Sequence, residues 1–149
     1  MEERTLVLIK PDAMVKKLAG NIINDLYNLN LKIIGLKLVN VKRELAEQHY
    51  SEHKSKPFFN ELVKHLTGEI HNNENVIAIV YSGDNAIEKI RKFIGATHPD
   101  NADPFTIRGK YGKIHTQTNC HETVVHASDS LENAEKEINL WFEQKEIVE

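Results

Sequence analysis

Arg4-Thr5-Leu6-Val7-Leu8-Ile9, closed by Lys10-Pro11-Asp12, is the stretch from which the fold is read. An uninterrupted apolar run of this length is a buried strand, and it stops where proline can no longer donate to a ladder. Moving outward, residues 20–30 place Ile22, Ile23, Leu26, Tyr27 and Leu29 on one side of a helix. Over residues 31–41 the period changes, and Ile34, Leu36 and Leu38 share one strand face with Lys32 and Lys37 interspersed. The chain therefore opens as strand, helix, strand.

The middle is helical. Residues 43–55 are polar and amphipathic, and Pro57 opens a helix carrying Phe58, Phe59, Leu62, Val63 and Leu66. A polar, Asn-rich loop at 68–75 leads to a central strand, Val76-Ile77-Ala78-Ile79-Val80-Tyr81. Ser82-Gly83-Asp84-Asn85 turns the chain into a helix with Ala86, Ile87, Ile90, Phe93 and Ile94 on its buried stripe. A long irregular segment follows at 96–122, of a length that in a compact domain usually serves function. It ends in a short strand, Thr123-Val124-Val125, and a last helix, capped by Asp129 or Ser130, carries Leu131, Ala134, Ile138 and Trp141, with Asp129-x-x-Glu132 resembling a capping box. Helices alternating with short strands imply an α+β fold. We expect a ferredoxin-like α/β sandwich of split βαβ type, its four-stranded antiparallel sheet covered by helices.

Composition excludes several function classes. The 149 residues suit one domain, 1–149, and the longest apolar run is too short to span a bilayer. The start, Met1-Glu2-Glu3-Arg4, has neither the basic nor the apolar part of a signal peptide, so a cytoplasmic protein is expected. One cysteine, Cys120, rules out an internal disulfide and a Cys-rich zinc site. A net charge of −3 lacks the basic excess of a nucleic-acid-coating protein, so no nucleic-acid partner is expected. A polyanionic small substrate needs only a few focused cations and stays open.

No glycine-rich phosphate signature is present; Gly109-Lys110-Tyr111-Gly112 matches none. Phosphates would have to be held by side chains and helix termini. Val124-Val125-His126-Ala127-Ser128-Asp129-Ser130 is the most informative segment, because it sets a histidine between an apolar strand and a capped helix start. A neutral imidazole there can attack phosphorus, yet a purely structural histidine fits the same place. Lys10 points to the crevice at a strand's carboxyl end, or is a solvated strand-end lysine. Arg91 and Arg108 read singly as surface charges, while with Lys10 they form a clamp suited to a triphosphate. His115, Cys120, His121 and His126 match no zinc spacing, so no protein metal site is expected. His49, His53, His65, His71 and His98 read as surface residues. Phe58 and Phe59 read as core, with room for one to face each way.

Taken in order, Lys10-Pro11-Asp12, His49-Tyr50, Pro57-Phe58-Phe59, Arg91 with Gly95-Ala96-Thr97, Thr106-Ile107-Arg108-Gly109 and His126-Ala127-Ser128-Asp129-Ser130 resemble the nucleoside diphosphate kinase family across nearly the whole chain. The resemblance implies a ping-pong transfer of a γ-phosphate from a nucleoside triphosphate to a diphosphate, with Mg²⁺ held chiefly through the nucleotide phosphates. It makes His126 the residue that becomes phosphohistidine, Glu137 the carboxylate that orients its ring, and Ser128 a hydrogen-bonding neighbour of that pair. Lys10, Tyr50, Arg91, Thr97 and Arg108 match positions that hold phosphates or support the histidine. Phe58 and Leu62 match positions lining the base. Family members assemble as tetramers or hexamers, so a homo-oligomer is implied.

The chain departs from the family pattern in places. Thr123 stands where the family has an asparagine that binds sugar and phosphate oxygens, with Asn119 nearby. Phe105 replaces a glycine, and the segments 68–75 and 109–122 are longer than usual. Two other classes compete with the kinase. A nucleotide-binding interaction module would not need a nucleophile with an orienting carboxylate. A small RNA-binding domain would need a basic surface and an aromatic strand motif.

Overall fold

The computed structural model describes residues 1–114 and 119–149; His115, weighed above as a ligand, lies outside the described residues. In chain order the first elements are β1 (Glu2–Ile9), α1 (Pro11–Val15), α2 (Ala19–Tyr27), β2 (Lys32–Asn40), α3 (Arg43–His49) and α4 (Phe59–Leu66). They are followed by β3 (Asn75–Asp84), α5 (Ala86–Ile94), α6 (Ile107–Tyr111), β4 (Lys113–Ile114), β5 (His121–Glu122), β6 (Val125–Ala127) and α7 (Leu131–Trp141). The main sheet has the order β2-β3-β1-β6, with every pairing antiparallel. This is the expected ferredoxin-like α+β arrangement, with β1 at its centre. A separate two-stranded ladder joins β4 to β5.

Alternation along β1 distributes its side chains between two cores. Leu6 and Leu8 join Val76, Ala78 and Val80 of β3 under α3, α4 and α7, in a core completed by Val63, Leu66, Ile138 and Trp141. Val7 and Ile9 join Ile79 and Tyr81 on the opposite face, packed against Ile22 and Leu26 of α2 and Ile90 and Ile94 of α5. β6 continues the alternation: Val125 and Ala127 enter the second core. His126, paired with Leu8, therefore projects from the first face, toward α7 and α3.

Several sequence expectations are corrected. Ile34 is buried, but Leu36 and Leu38 are 55% and 62% exposed. A register shift between Ile33 and Gly35 breaks the simple alternation, and an irregularity of one residue moves every later side chain to the other face. Tyr27 is exposed rather than buried with Leu26. The segment 96–122 is not structureless, since it contains α6, capped by Thr106, whose hydroxyl accepts from the Gly109 amide. The strand placed at Thr123-Val124-Val125 lies two residues later, at Val125–Ala127, so His126 is the centre of that strand. Ser130, not Asp129, caps α7 by accepting from the Asn133 amide; Asp129 accepts from the Asn133 side chain instead, and the Asp129–Glu132 box does not form.

Candidate active site

A cleft of about 830 Å³ opens between α3, the start of α4, α7 and the carboxyl end of β1. Lys10, Tyr50, Phe58, Leu62, Arg91, Thr97, Arg108, Thr123, His126 and Glu137 all line it. Residues spread over most of the sequence thus converge on one cavity. Ser128 lines no part of it. It is fully buried, and its Oγ accepts from the Leu6 amide at 3.3 Å while its own amide donates to the Leu6 carbonyl. It fastens β1 to the end of β6, below the pair it was expected to join.

His126 is partly exposed to the cleft, and its Nε2 donates to Oε2 of Glu137 from α7. An ionised carboxylate only accepts, so the bond places the ring proton on Nε2 and leaves the Nδ1 lone pair available. The same carboxylate oxygen lies 3.6 Å from Nδ1 of His49. His49 was expected at the surface, yet its side chain is 1% exposed. Burial, reinforced by His126, Lys10 and His53, pushes its pKa well below the usual histidine value.

The cations are arranged by burial. Lys10 is 6% exposed, and its Nζ donates to Thr123 Oγ1 at 2.8 Å. Burial lowers its pKa against the opposing pull of Asp12. Arg108, expected to be a surface charge when read alone, is 9% exposed and donates to the carbonyls of Gly95 at 3.2 Å and Val125 at 2.9 Å. Burial and the neighbouring Arg91 bring its pKa down to about 10, so it stays cationic at neutral pH. Arg91 is exposed on α5. Burial raises the Tyr50 phenol, with Asp12 and Glu137 adding to the effect, so the hydroxyl remains a donor. The two phenylalanines divide as foreseen: Phe59 packs on the core and Phe58 is half-exposed in the cleft.

Beneath Lys10 runs a polar column that sequence reasoning did not find. Asp12 is fully buried; it accepts from the Val124 amide at 2.9 Å and from His65 Nε2 at 3.1 Å. Burial alone would raise its pKa, but His65, Lys10 and the amide together hold it far below the usual carboxylate range. Val124 has φ 57, an outlying conformation for a β-branched residue. Its amide is held by Asp12, and its carbonyl accepts from the Lys10 amide at 2.9 Å. Asp12 thereby fixes the kink that delivers β6 to the sheet. On its other side, the His65 ring accepts from the Cys120 thiol at 3.1 Å through Nδ1. His71 pairs with Glu122, which also takes Lys16 at 3.1 Å. The two longer segments therefore meet against this column.

His65 carries a pH consequence. Burial, aided by Lys10, brings its pKa from an ordinary 6.5 to about 4. Below pH 6.5 the unfolded chain takes up a proton that the native ring refuses, so stability falls as pH drops toward 4 and this contribution then levels off. We expect His65 alone to remove about 3 kcal/mol of unfolding free energy between pH 7 and pH 4. Urea unfolding at both values checks this, and His65→Asn should flatten the difference; an equal loss in that variant would contradict it.

The surface reading of the histidines fails for His49, His65 and His71, whose side chains are 1%, 3% and 8% exposed. Their burial depends on Trp141, Asp12 and Glu122, none of them near in sequence. One triple among the described residues, His49, His126 and Glu137, has donor atoms within 4.8 Å of one another. The Trp141 indole already donates to His49 Nδ1 at 3.1 Å, and Glu137 already takes His126. Imidazole donors also suit zinc or copper rather than magnesium.

The family described as nucleoside diphosphate kinase matches residues 3–147. The nucleoside diphosphate kinase of Pyrococcus abyssi is 47% identical over 148 residues, covering 99% of this chain and 89% of that protein. Among solved structures, the Aquifex aeolicus nucleoside diphosphate kinase superposes with a TM-score of 0.89 at 36% identity, covering 99% of this chain and all of that one. The Borrelia burgdorferi enzyme, solved as a transition-state mimic with bound vanadate and ADP, gives 0.88 at 31% identity over 99% and 91% of the two chains.

Proposed function

Since the chain belongs to the nucleoside diphosphate kinase family, we propose that His126 is the group that carries the phosphate between its two nucleotides. The activity is that family's: the γ-phosphate of a nucleoside triphosphate passes to a nucleoside diphosphate. The observation that carries the assignment is the Glu137 bond to His126 Nε2, which leaves Nδ1 as the attacking nitrogen at the cleft. Nδ1 attacks the γ-phosphorus, the bond to the β–γ bridging oxygen breaks, and the diphosphate leaves. The ring keeps its Nε2 proton, and Glu137 balances the positive charge that develops there. An incoming diphosphate reverses the sequence.

Lys10, Arg91 and Arg108 neutralise the phosphate oxygens, with Tyr50 and Thr97 donating from the cleft wall. Phosphoryl transfer consists mainly of such positioning and charge stabilisation. Phe58 and Leu62 form the apolar place for a base, and stacking on a ring tolerates every base. Thr123, engaged by Lys10, takes the family asparagine's place beside the sugar and phosphates. Ser128 supports the histidine indirectly, through the strand it fastens.

Magnesium fits this lining through its oxygen donors: Asp129 and Glu52 are the lining carboxylates not engaged by a histidine. The ion would be held mainly by phosphate oxygens, where it supplies charge neutralisation across the transferring group. We read 1–149 as one domain. A homo-oligomer, tetramer or hexamer, is supported by the exposed apolar side chains Leu36 and Leu38 on the edge strand β2 and Tyr27 on α2. Among the described residues no helix is long and apolar enough to cross a membrane. A cytoplasmic location, where free nucleotides are found, completes the reading, and the net charge of −3 speaks against a nucleic-acid partner.

Incubation with Mg²⁺ and γ-labelled ATP should leave acid-labile label on the protein, and added GDP should remove it as labelled GTP. Label that stays on the protein after GDP, or transfer that needs both nucleotides together, would contradict the ping-pong route.

A further inference from the structure

We infer that His49 is a positioning residue that sets the rotation of the His126 ring, and so the direction from which Nδ1 meets phosphorus. The inference rests on the reading of His126 as the nucleophile. A hydrogen bond at Nε2 fixes the far end of an imidazole. That atom lies nearer the line of the Cβ–Cγ bond than Nδ1 does, so turning about this axis moves Nε2 less than it swings Nδ1 sideways. Glu137 therefore holds the histidine in place but restrains the direction of its lone pair only in part. In-line transfer depends on that direction.

His49 supplies the missing restraint. Its ring stands at 82° to the His126 ring with centroids 4.5 Å apart, so a turning His126 would run into it. His49 is itself fixed on other sides. Trp141 Nε1 donates to its Nδ1 at 3.1 Å, and the rings of Trp141 and Tyr50 stand nearly perpendicular to it at 5.6 Å and 4.8 Å. An indole N–H only donates, so Nδ1 of His49 is the acceptor and the proton of the neutral ring is on Nε2. This tautomer matters because Nδ1 lies 3.6 Å from the Glu137 oxygen that serves His126. A proton there would give Glu137 a second N–H donor to serve, in competition with His126 at the moment when its ring becomes positive. The indole holds His49 as an uncharged wall.

The test is single-turnover phosphorylation by Mg²⁺ and γ-labelled ATP, comparing the native protein with His49→Ala, His49→Leu and His49→Phe. His49→Ala should label about 100-fold more slowly, with the half-saturating ATP concentration within about threefold of native. Leucine fills the volume without a flat ring and should be similarly slow. Phenylalanine restores a neutral ring and should recover labelling to within about tenfold of native. The leucine and phenylalanine pair decides the matter even where alanine leaves the chain unfolded. Native-rate labelling in His49→Leu overturns the inference, as does phenylalanine no faster than leucine, or slow labelling matched by an equal loss of ATP affinity. A native protein that takes no label overturns the nucleophile assignment, and this inference with it.

Discussion

His126→Ala should lower turnover by at least about 10⁴-fold, the scale on which removal of a covalent nucleophile acts when binding groups remain. The variant should keep its fold, because His126 is partly exposed and the core side chains of its strand are Val125 and Ala127. It should also keep its nucleotide affinity, since Lys10, Arg91, Arg108 and Phe58 are untouched. Steady-state assay, ATP titration and thermal unfolding, measured together, separate these outcomes. Turnover within tenfold of native would place the phosphate carrier elsewhere. Glu137→Gln should act more mildly, by about 100-fold, because an amide oxygen still accepts from Nε2 but balances no charge.

Asp12→Ala should be the most destabilising single change in the site, costing about 3–5 kcal/mol. The carboxylate is fully buried, and its removal strips partners from the Val124 amide and from His65 while leaving the Lys10 ammonium without the carboxylate that most favours its charge. The kink at Val124 would lose the group that holds it, and β6 would lose its entry angle. Urea unfolding at pH 7 measures the loss. Asp12→Asn should fall between native and alanine, keeping one acceptor but no charge. A cost below about 1 kcal/mol for the alanine variant would show that the column is not what holds the kink.

Much of the fold was legible in the sequence because the central strands are continuous apolar runs, as strands buried on both faces require. Leu6, Val7, Leu8 and Ile9 declare two buried faces, and Val76 to Tyr81 repeat the pattern. Leu36 and Leu38 misled because a register shift at Ile33–Gly35 leaves no mark in a hydrophobic pattern. α6 has only five residues, too few for periodicity to register. In the site, the residues given a role by the family motifs line the cleft, Ser128 apart, whereas His49 and Asp12 stood in matched stretches without a role and His65 was read as a surface residue. The residues given a role owe their visibility to local sequence. The missed ones owe their burial to Trp141 and to each other across long chain separations, which no local pattern records.

The pairing of β6 with β1 also fixes when the enzyme can exist during synthesis. Leu8 leaves the ribosome early, and β2 and β3 can pair with each other and with β1 once Asp84 has followed. His126 and Glu137, the proposed nucleophile and its carboxylate, come from β6 and α7, which follow β3 in the chain. A nascent chain can thus hold three quarters of its sheet and still be chemically silent. Lys10 waits beside an empty sheet edge until residues more than a hundred positions later close it. A translation product interrupted before β6 and α7 lacks His126 and Glu137, so it should take up no phosphate there.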